Sequence, residues 1–183
     1  MAKMLDPFTQ RIAVYVPTQG VSADAFVYKA VTDAYKPSDM VGWVIKEVRY
    51  YFENSIWEML NTSADRIKFG LMFLQTHPTG GPEPDDAGIL DHHSLTRYDL
   101  GAPAADVVML EQGPVVVRDF TNFEGEGGNN GMLVHPVNFF VFGYNDTALG
   151  TNPLLSVIIE YKTVVLTDAL YKELWQSVYI RQV

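Results

Sequence analysis

Side chains with metal-binding chemistry are concentrated in one stretch of this 183-residue chain. Imidazole and carboxylate groups bind transition metals, and carboxylates alone bind calcium. Adjacent histidines on an extended segment point to opposite sides, so they do not readily serve one ion. We therefore expect no metal-binding residues, with calcium binding by the acidic segment 83–93 left as an alternative. The side chains concerned are His77, Asp85, Asp86, Asp91, His92, His93 and the more distant His135.

Patterns typical of catalysis are absent from the sequence. There is no cysteine and no Gly-x-Ser-x-Gly motif, and Ser94 follows His93 directly, which is not the arrangement of a catalytic triad. Glu124 and Glu126 lie in a glycine-rich segment that would not hold an acid–base pair rigidly. That segment also lacks the lysine and the following helix of a phosphate-binding loop. We expect no catalytic and no cofactor-binding residues, and hence no enzyme.

Composition excludes several classes of protein. The formal net charge is −9, and no two of the 13 basic residues are adjacent, which argues against strong binding to nucleic acid. A hydrophobic content of 48% supports a sizeable core, and the lack of cysteine removes any disulfide framework. No run approaches the roughly 20 apolar residues of a membrane helix, and the N-terminal residues lack the apolar region of a signal peptide. We therefore expect no transmembrane segment.

Residues 137–167 form the stretch around which the chain is organised. Two long runs rich in β-branched and aromatic residues, 137–144 and 154–167, flank a cluster of turn-forming residues and predict two core strands. Thr167 and Asp168 predict the N-terminus of a helix through residue 175. Asn54 and Ser55 predict a short helix over 56–61, with continuation of the preceding strand as the alternative. Further strands are expected at 11–17, 25–32 (or a helical turn), 42–53, 66–75, 106–110, 115–120, 132–134 and, as a strand or an extended tail, 178–183.

The strand 42–53 has mixed faces. Strict alternation places Trp43, Ile45 and Glu47 on one face, with Arg49 and Tyr51 continuing it. The opposite face then carries Val44, Lys46, Val48 and Tyr50. Most aromatic residues of the chain have core spacing, and the segment 50–52 is the one aromatic cluster that we consider for an exposed sheet face.

Strands that follow one another directly predict an all-β fold with antiparallel sheets. About eight strands suit a two-sheet sandwich with jelly-roll topology and one or two short helices. We expect a single jelly-roll domain over residues 1–183, with long loops at about 77–105 and 121–131.

The closing strands resemble those of a single jelly-roll capsid, or coat, protein of an icosahedral virus. The segments that carry this resemblance are 139–144 (Phe-Phe-Val-Phe-Gly-Tyr) and 157–167 (Val-Ile-Ile-Glu-Tyr-Lys-Thr-Val-Val-Leu-Thr). The resemblance implies a structural, self-assembling shell subunit in the virion, joined to copies of itself, or to a second capsid protein, through the two long loops and the termini. An arginine- and lysine-rich N-terminal arm, common in coat proteins that package nucleic acid, is missing. An internal membrane, another protein or counterions would then neutralise the genome.

Two alternatives belong to other functional classes. A carbohydrate- or ligand-binding β-sandwich module requires a row of exposed aromatic residues or a calcium site in the 83–93 segment. A metal-dependent enzyme requires at least three of the four histidines to converge on one point.

Overall fold

The computed structural model of the protein describes residues 4–15, 25–31, 40–53, 66–73, 83–86, 88–96, 115–122, 130–135, 139–145 and 154–180. Nine strands and one helix lie within these ranges. In chain order they are β1 Met4–Tyr15, β2 Ala25–Ala30, β3 Val41–Phe52, β4 Arg66–Met72, β5 Ile89–Thr96, β6 Val115–Asp119, β7 Met132–Val134, β8 Phe140–Asn145, β9 Leu154–Val165 and α1 Asp168–Ile180.

The strands form two antiparallel sheets that pack against each other. The first sheet has the order β1-β9-β3-β6, with β7 pairing beside β6 on the same edge of β3. The second sheet has the order β2-β8-β4-β5. Because β6 and β7 pair with successive parts of β3, they behave as one interrupted strand, so the sandwich is of the eight-strand kind.

The pairing identifies the jelly roll. Strand β4 pairs with β5, β3 with β6 and β7, β2 with β8, and β1 with β9, all antiparallel. The chain is therefore one long antiparallel hairpin that closes at β4–β5 and is rolled into two layers. This is the jelly-roll topology of two Greek keys, and it confirms the predicted fold class.

The core lies between the two sheets and is rich in aromatic side chains. Trp43 stacks on Tyr161 with ring centroids 4.0 Å apart and meets Phe139 edge to face at 6.3 Å. All six residues of β8 are buried, so both of its faces are covered. The two strands that organise the sequence thus occupy internal positions, β8 in the second sheet and β9 in the first.

A β-bulge at Lys46 changes the inward face of β3. Ile45 pairs with Tyr161 and Glu47 pairs with Glu160, which leaves Lys46 as an extra residue. The buried positions therefore run Trp43 and Ile45 before the bulge, and Val48, Tyr50 and Phe52 after it. The strict alternation expected for this strand is wrong beyond Lys46. Gly131 lies against the bulge at a φ of +143°, and a Cβ there would come 2.6 Å from the Ile45 carbonyl oxygen.

Helix α1 packs on the outer face of the first sheet. Thr167 caps it as predicted, because its Oγ1 accepts a hydrogen bond from the Leu170 backbone N–H at 3.3 Å. Its apolar side chains contact a small buried cluster in β3, β9 and the residue after β9. The members of this contact are Leu170, Tyr171 and Leu174 on one side, and Val44, Val164 and Leu166 with Leu133 on the other.

Several sequence expectations need correction. The expected loop 77–105 contains strand β5, Ile89–Thr96. Helix α1 continues to Ile180, so a strand or tail beginning at 178 is wrong for 178–180. Strand β1 begins at Met4, seven residues before the predicted start at Arg11, with a register shift between Met4 and Pro7. The expected helix 56–61 and the strand 106–110 lie outside the described residues. No helix in the described part of the chain is long and apolar enough to cross a membrane.

Candidate functional site at the edge of the sandwich

The Asp-His-His run lies in strand β5, at one edge of the second sheet. Asp91, His92 and His93 face Leu71, Gly70 and Phe69 of β4, respectively. Because side chains alternate along a strand, Asp91 and His93 point into the sandwich and His92 points outward. The outward ring of His92 lies 6.3 Å from that of Phe142. The expectation that adjacent histidines face opposite sides is confirmed.

Four side chains from three strands converge at this edge, and we call them the Asp91 cluster: Tyr50 of β3, Asp91 and His93 of β5, and Arg118 of β6. The Tyr50 hydroxyl donates a hydrogen bond to Asp91 Oδ2 at 2.8 Å. His93 Nε2 lies 2.9 Å from the same oxygen. Arg118 Nε lies 3.7 Å from Asp91 Oδ1.

The cluster runs from the core to the surface. Tyr50 is fully buried and Asp91 is buried, whereas the His93 side chain is 21% exposed and that of Arg118 is 51% exposed. The Tyr50 and His93 rings both pack against Phe69, with centroids 5.3 Å and 5.5 Å away. The Arg118 guanidinium lies 5.5 Å from the centroid of Phe120, so its charge also rests over an aromatic face.

Burial raises the pKa of Tyr50 well above its usual value of 10.0. The Asp91 carboxylate raises the pKa further through its negative charge and through the hydrogen bond, while the Arg118 charge acts in the opposite direction. Tyr50 is therefore a neutral hydrogen-bond donor over the whole physiological pH range.

The arrangement is suited to a structural role, in which the cluster connects the two sheets. Asp91 Oδ2 already meets two partners, and a buried carboxylate held in this way is stabilised as a fixed acceptor. Tyr50 and Arg118 belong to the first sheet, while Asp91 and His93 belong to the second, so the cluster links the two sheets at the edge where β5 and β6 lie. Among the described residues, no three histidine or acidic side chains are placed to hold a metal ion.

The acidic residues before β5 lie in a tight exposed turn. The Asp86 backbone N–H donates to the Glu83 carbonyl oxygen at 3.1 Å, and the Glu83 N–H donates to Asp86 Oδ2 at 2.6 Å. Asp86 thus caps the turn, and the Asp85 side chain projects from it into solvent. Asp91 lies inside the sandwich, away from this exposed turn. The carboxylates of Asp85, Asp86 and Asp91 therefore do not form a shared calcium site in the structure.

The remaining histidines lie elsewhere. His135 is buried just beyond β7, and its ring meets that of Tyr171 in α1 at 5.1 Å. It belongs to the contact of the helix with the first sheet and not to the Asp91 cluster. His77 lies outside the described residues, as do Glu124 and Glu126.

A second polar group lies on the outer face of the second sheet. The Lys68 side chain is only 5% exposed and is paired with the Glu83 carboxylate. Its ammonium group also lies 5.7 Å from the centroid of Tyr144. The Lys68 hydrogen bond lowers the pKa of Glu83, and the charges of Lys68, His92 and Arg66 act in the same direction. This pairing anchors the acidic turn to the sheet.

The aromatic segment 50–52 is not a surface platform. Tyr50 and Phe52 are buried in the core, which corrects the suggestion that this cluster is exposed. On the outer face of the second sheet Phe140, Phe142 and Tyr144 are buried as well. Among the residues whose side-chain burial the structure describes, Tyr28 is the aromatic residue that is substantially exposed, at 42%. These residues do not provide the exposed aromatic row that a carbohydrate-binding module requires.

Two members of the Asp91 cluster escaped the sequence analysis. Tyr50 was grouped with the aromatic segment 50–52 that we considered for an exposed sheet face, and Arg118 is a single basic residue in a short strand. The available signal was the i, i+2 spacing of Asp91 and His93, which places both on one face if the segment is a strand. Because residues 77–105 were expected to form a loop, this spacing was not interpreted as one face of a strand.

Comparisons with known proteins complete the description of the chain. No protein-family model matches it, and no curated protein matches it in sequence. Among solved structures, the crystal structure of a decameric BFDV capsid protein is similar over 91% of this chain and 100% of that chain, with 6% identity and a TM-score of 0.35. The jelly-roll assignment rests on the strand pairing of this chain.

Proposed function

We propose that the protein is a structural capsid subunit that assembles with copies of itself into a viral shell, acts in the virion and has no catalytic activity. The observation that carries the proposal is the rolled-hairpin pairing of β1 with β9, β2 with β8, β3 with β6 and β7, and β4 with β5. Double-sheet jelly rolls of this kind are the architecture of viral capsid domains, and also of lectins and cupins. The side chains distinguish among these classes, because a fold alone does not specify a function.

The chemistry of the described residues favours the structural role. A lectin-like module would present aromatic residues on a sheet face, whereas the sheet aromatic residues whose burial the structure describes are buried, apart from Tyr28 and the half-buried Tyr51. A cupin-like enzyme would need metal ligands that converge in the interior. The interior instead holds a carboxylate engaged by a tyrosine and a histidine, which stiffens the edge of the sandwich.

Subunit contacts are expected at exposed features of the sandwich. The exposed turn Glu83–Asp86 lies in the long segment 77–105, one of the regions proposed for contacts, together with 121–131 and the termini. Met40 and Val165 are large apolar side chains exposed by 37% and 46%, and they are neighbours because the Leu166 N–H donates to the Met40 carbonyl oxygen. Shells are built by repeating such contacts around closed symmetry axes.

The net charge of −9 makes direct genome packaging by this chain unfavourable. We propose that its partners are copies of itself, together with a second capsid protein that shares the shell or a membrane vesicle enclosed by it.

Size-exclusion chromatography with light scattering tests the proposal. Assembly predicts species of many subunits whose proportion rises with protein concentration, because association follows mass action. A strictly monomeric protein at high concentration in several salts would contradict it. Binding to a glycan array, or a rise in melting temperature with calcium, would instead support the carbohydrate-binding alternative.

A further inference from the structure

The outer face of the first sheet carries a pair of lysines brought together by the bulge in β3. Lys46 is the bulged residue, and Lys162 of β9 pairs with Val44 two positions earlier. Val44 and Val164 contact α1 on the outer face, so the alternation of side chains places Lys46 and Lys162 on that face too. Both lysines are half-buried, and they lie beside the part of the sheet that α1 covers.

The two lysine charges interact unfavourably with each other. Burial lowers the pKa of Lys46, and the positive charge of Lys162 lowers it further. The nearby Glu47 carboxylate is paired with Arg49 on its own strand. No other described side chain forms an ion pair with Lys46 or Lys162 within 4.0 Å. Like charges side by side on a sheet are destabilising, so a negative group placed over them would relieve this repulsion.

The acidic turn Glu83–Asp86 is the complementary feature on the opposite side of the sandwich. Hydrogen bonds between Glu83 and Asp86, and the pairing of Glu83 with Lys68, fix its conformation. Asp85 is exposed at its tip, and no described side chain or backbone group binds its carboxylate. A turn held in one conformation loses little entropy when it binds.

We propose that the acidic turn Glu83–Asp86 of one copy binds the Lys46–Lys162 pair of a second copy. This inference rests on the proposed function, because it assigns one of the contacts through which the subunits would assemble. The turn is anchored on the outer face of the second sheet and the lysines lie on the outer face of the first sheet. The contact is therefore heterologous, joining two different surfaces, and repetition of a heterologous contact generates a ring when the rotation between copies closes.

Charge complementarity selects another copy of this chain as the occupant. The chain has 22 acidic and 13 basic residues, so its own surface supplies many carboxylates and few cations to receive them. Nucleic acid is a poorer fit, because Glu160 lies two residues from Lys162 on the same face and Glu47 lies next to Lys46. The acidic turn presents the Asp85 carboxylate at its tip, whereas a nucleic-acid backbone would bring a row of phosphates against those neighbouring carboxylates as well.

Reversal of charge tests the contact in the full-length protein. Variants K46E/K162E and D85K should each reduce the assembled fraction about tenfold or more at a fixed concentration, because each places like charges in contact. Combining D85K with K46E/K162E in one chain restores opposite charges at every contact and should restore assembly. Lys29→Glu, an exposed lysine of β2, makes the same change of sign elsewhere and should leave assembly close to that of the wild type.

The controls separate this inference from the proposed function. Circular dichroism melts establish that each variant folds, and Lys162→Gln and Asp85→Asn serve in place of any reversal that does not. The contact is overturned if both reversal variants assemble as well as the wild type, or if the combined variant fails to recover assembly. Either result leaves the shell proposal standing. A wild-type protein that never associates contradicts both. Light scattering of all variants in parallel gives these outcomes, and assembly through this contact should weaken as salt increases.

Discussion

Tyr50 and Asp91 are joined across the interior of the sandwich, with the phenol oxygen 2.8 Å from Asp91 Oδ2. Tyr50 lies in β3 of the first sheet and Asp91 in β5 of the second, so this hydrogen bond links the two layers of the sandwich. Its donor is fully buried and its acceptor is a buried carboxylate. The hydrogen bond therefore stiffens the edge of the sandwich at which β5 and β6 lie.

Replacement of Tyr50 by phenylalanine should destabilise the protein by about 1.5–3 kcal/mol, because it removes a hydrogen bond to a buried charged group and leaves the aromatic packing in place. Urea unfolding monitored by circular dichroism measures this loss. Tyr28→Phe removes a hydroxyl from a side chain that is 42% exposed and should change the free energy of unfolding much less. Equal losses in the two variants would contradict a specific tie through Tyr50.

Alkaline pH should weaken the fold through Tyr50. Its pKa in the folded protein is raised well above 10.0, mainly by burial, whereas the unfolded chain ionises near the ordinary value. The unfolded state therefore releases the proton first, and the stability that Tyr50 contributes is complete below pH 10.0 and is lost as the pH rises above it. The free energy of unfolding of Tyr50→Phe should fall less steeply over this range than that of the wild type. Parallel pH profiles of the two proteins would contradict the assignment.

Gly70 of β4 allows a close approach to the backbone of Asp91 in β5. A Cβ at Gly70 would lie 1.9 Å from the Asp91 carbonyl oxygen, so Gly70→Ala must separate β4 from β5. We expect a loss of about 3 kcal/mol or more, since backbone atoms do not move aside as a side chain does. Thermal melts measure it.

Gly42→Ala is the matched control for Gly70→Ala. The nearest atoms that a Cβ at Gly42 would meet are the ends of the Leu133 and Leu166 side chains, at 3.1 Å, and these can rotate. We expect a loss of about 1 kcal/mol. A Gly42 variant as unstable as the Gly70 variant would contradict the close approach of β4 and β5.

The ion pair of Lys68 and Glu83 should make stability sensitive to acid. The hydrogen bond from Lys68 lowers the pKa of Glu83 from its usual 4.5, so this contribution is present above pH 4.5 and is lost as the pH falls through the folded value. Glu83→Gln should lower the melting temperature at neutral pH, because it leaves the nearly buried Lys68 ammonium without its carboxylate. Adding Lys68→Met to Glu83→Gln should recover most of the loss. A double variant no more stable than Glu83→Gln would contradict this explanation.

Much of the sandwich was predictable because β8 is buried throughout and β9 buries one face in the core. The apolar runs at 137–144 and 154–167 could pack only in a core, and Thr167 followed by Asp168 is a strong N-cap signal. Strand β5 was missed because Asp91, His92 and His93 look like loop residues. A buried carboxylate is accommodated in this strand because Asp91 is paired with Tyr50 and Arg118, which belong to the distant strands β3 and β6.

The early start of β1 and the bulge in β3 depend on tertiary contacts that a local sequence pattern does not contain. Pro7 is tolerated in β1 because this strand lies at the edge of its sheet and shifts register between Met4 and Pro7. The bulge at Lys46 reverses the inward face of β3, and the Lys46 carbonyl oxygen accepts a hydrogen bond from the Phe120 N–H at 2.9 Å, next to β6. That partner lies more than seventy residues away in the sequence.

The most direct test of the central claim is a negative-stain electron micrograph of the purified protein over a range of concentrations and salts. A self-assembling shell subunit predicts closed particles or rings of uniform size, which become more abundant as the concentration rises. A field of separate particles of about 20.5 kDa under every condition would contradict it.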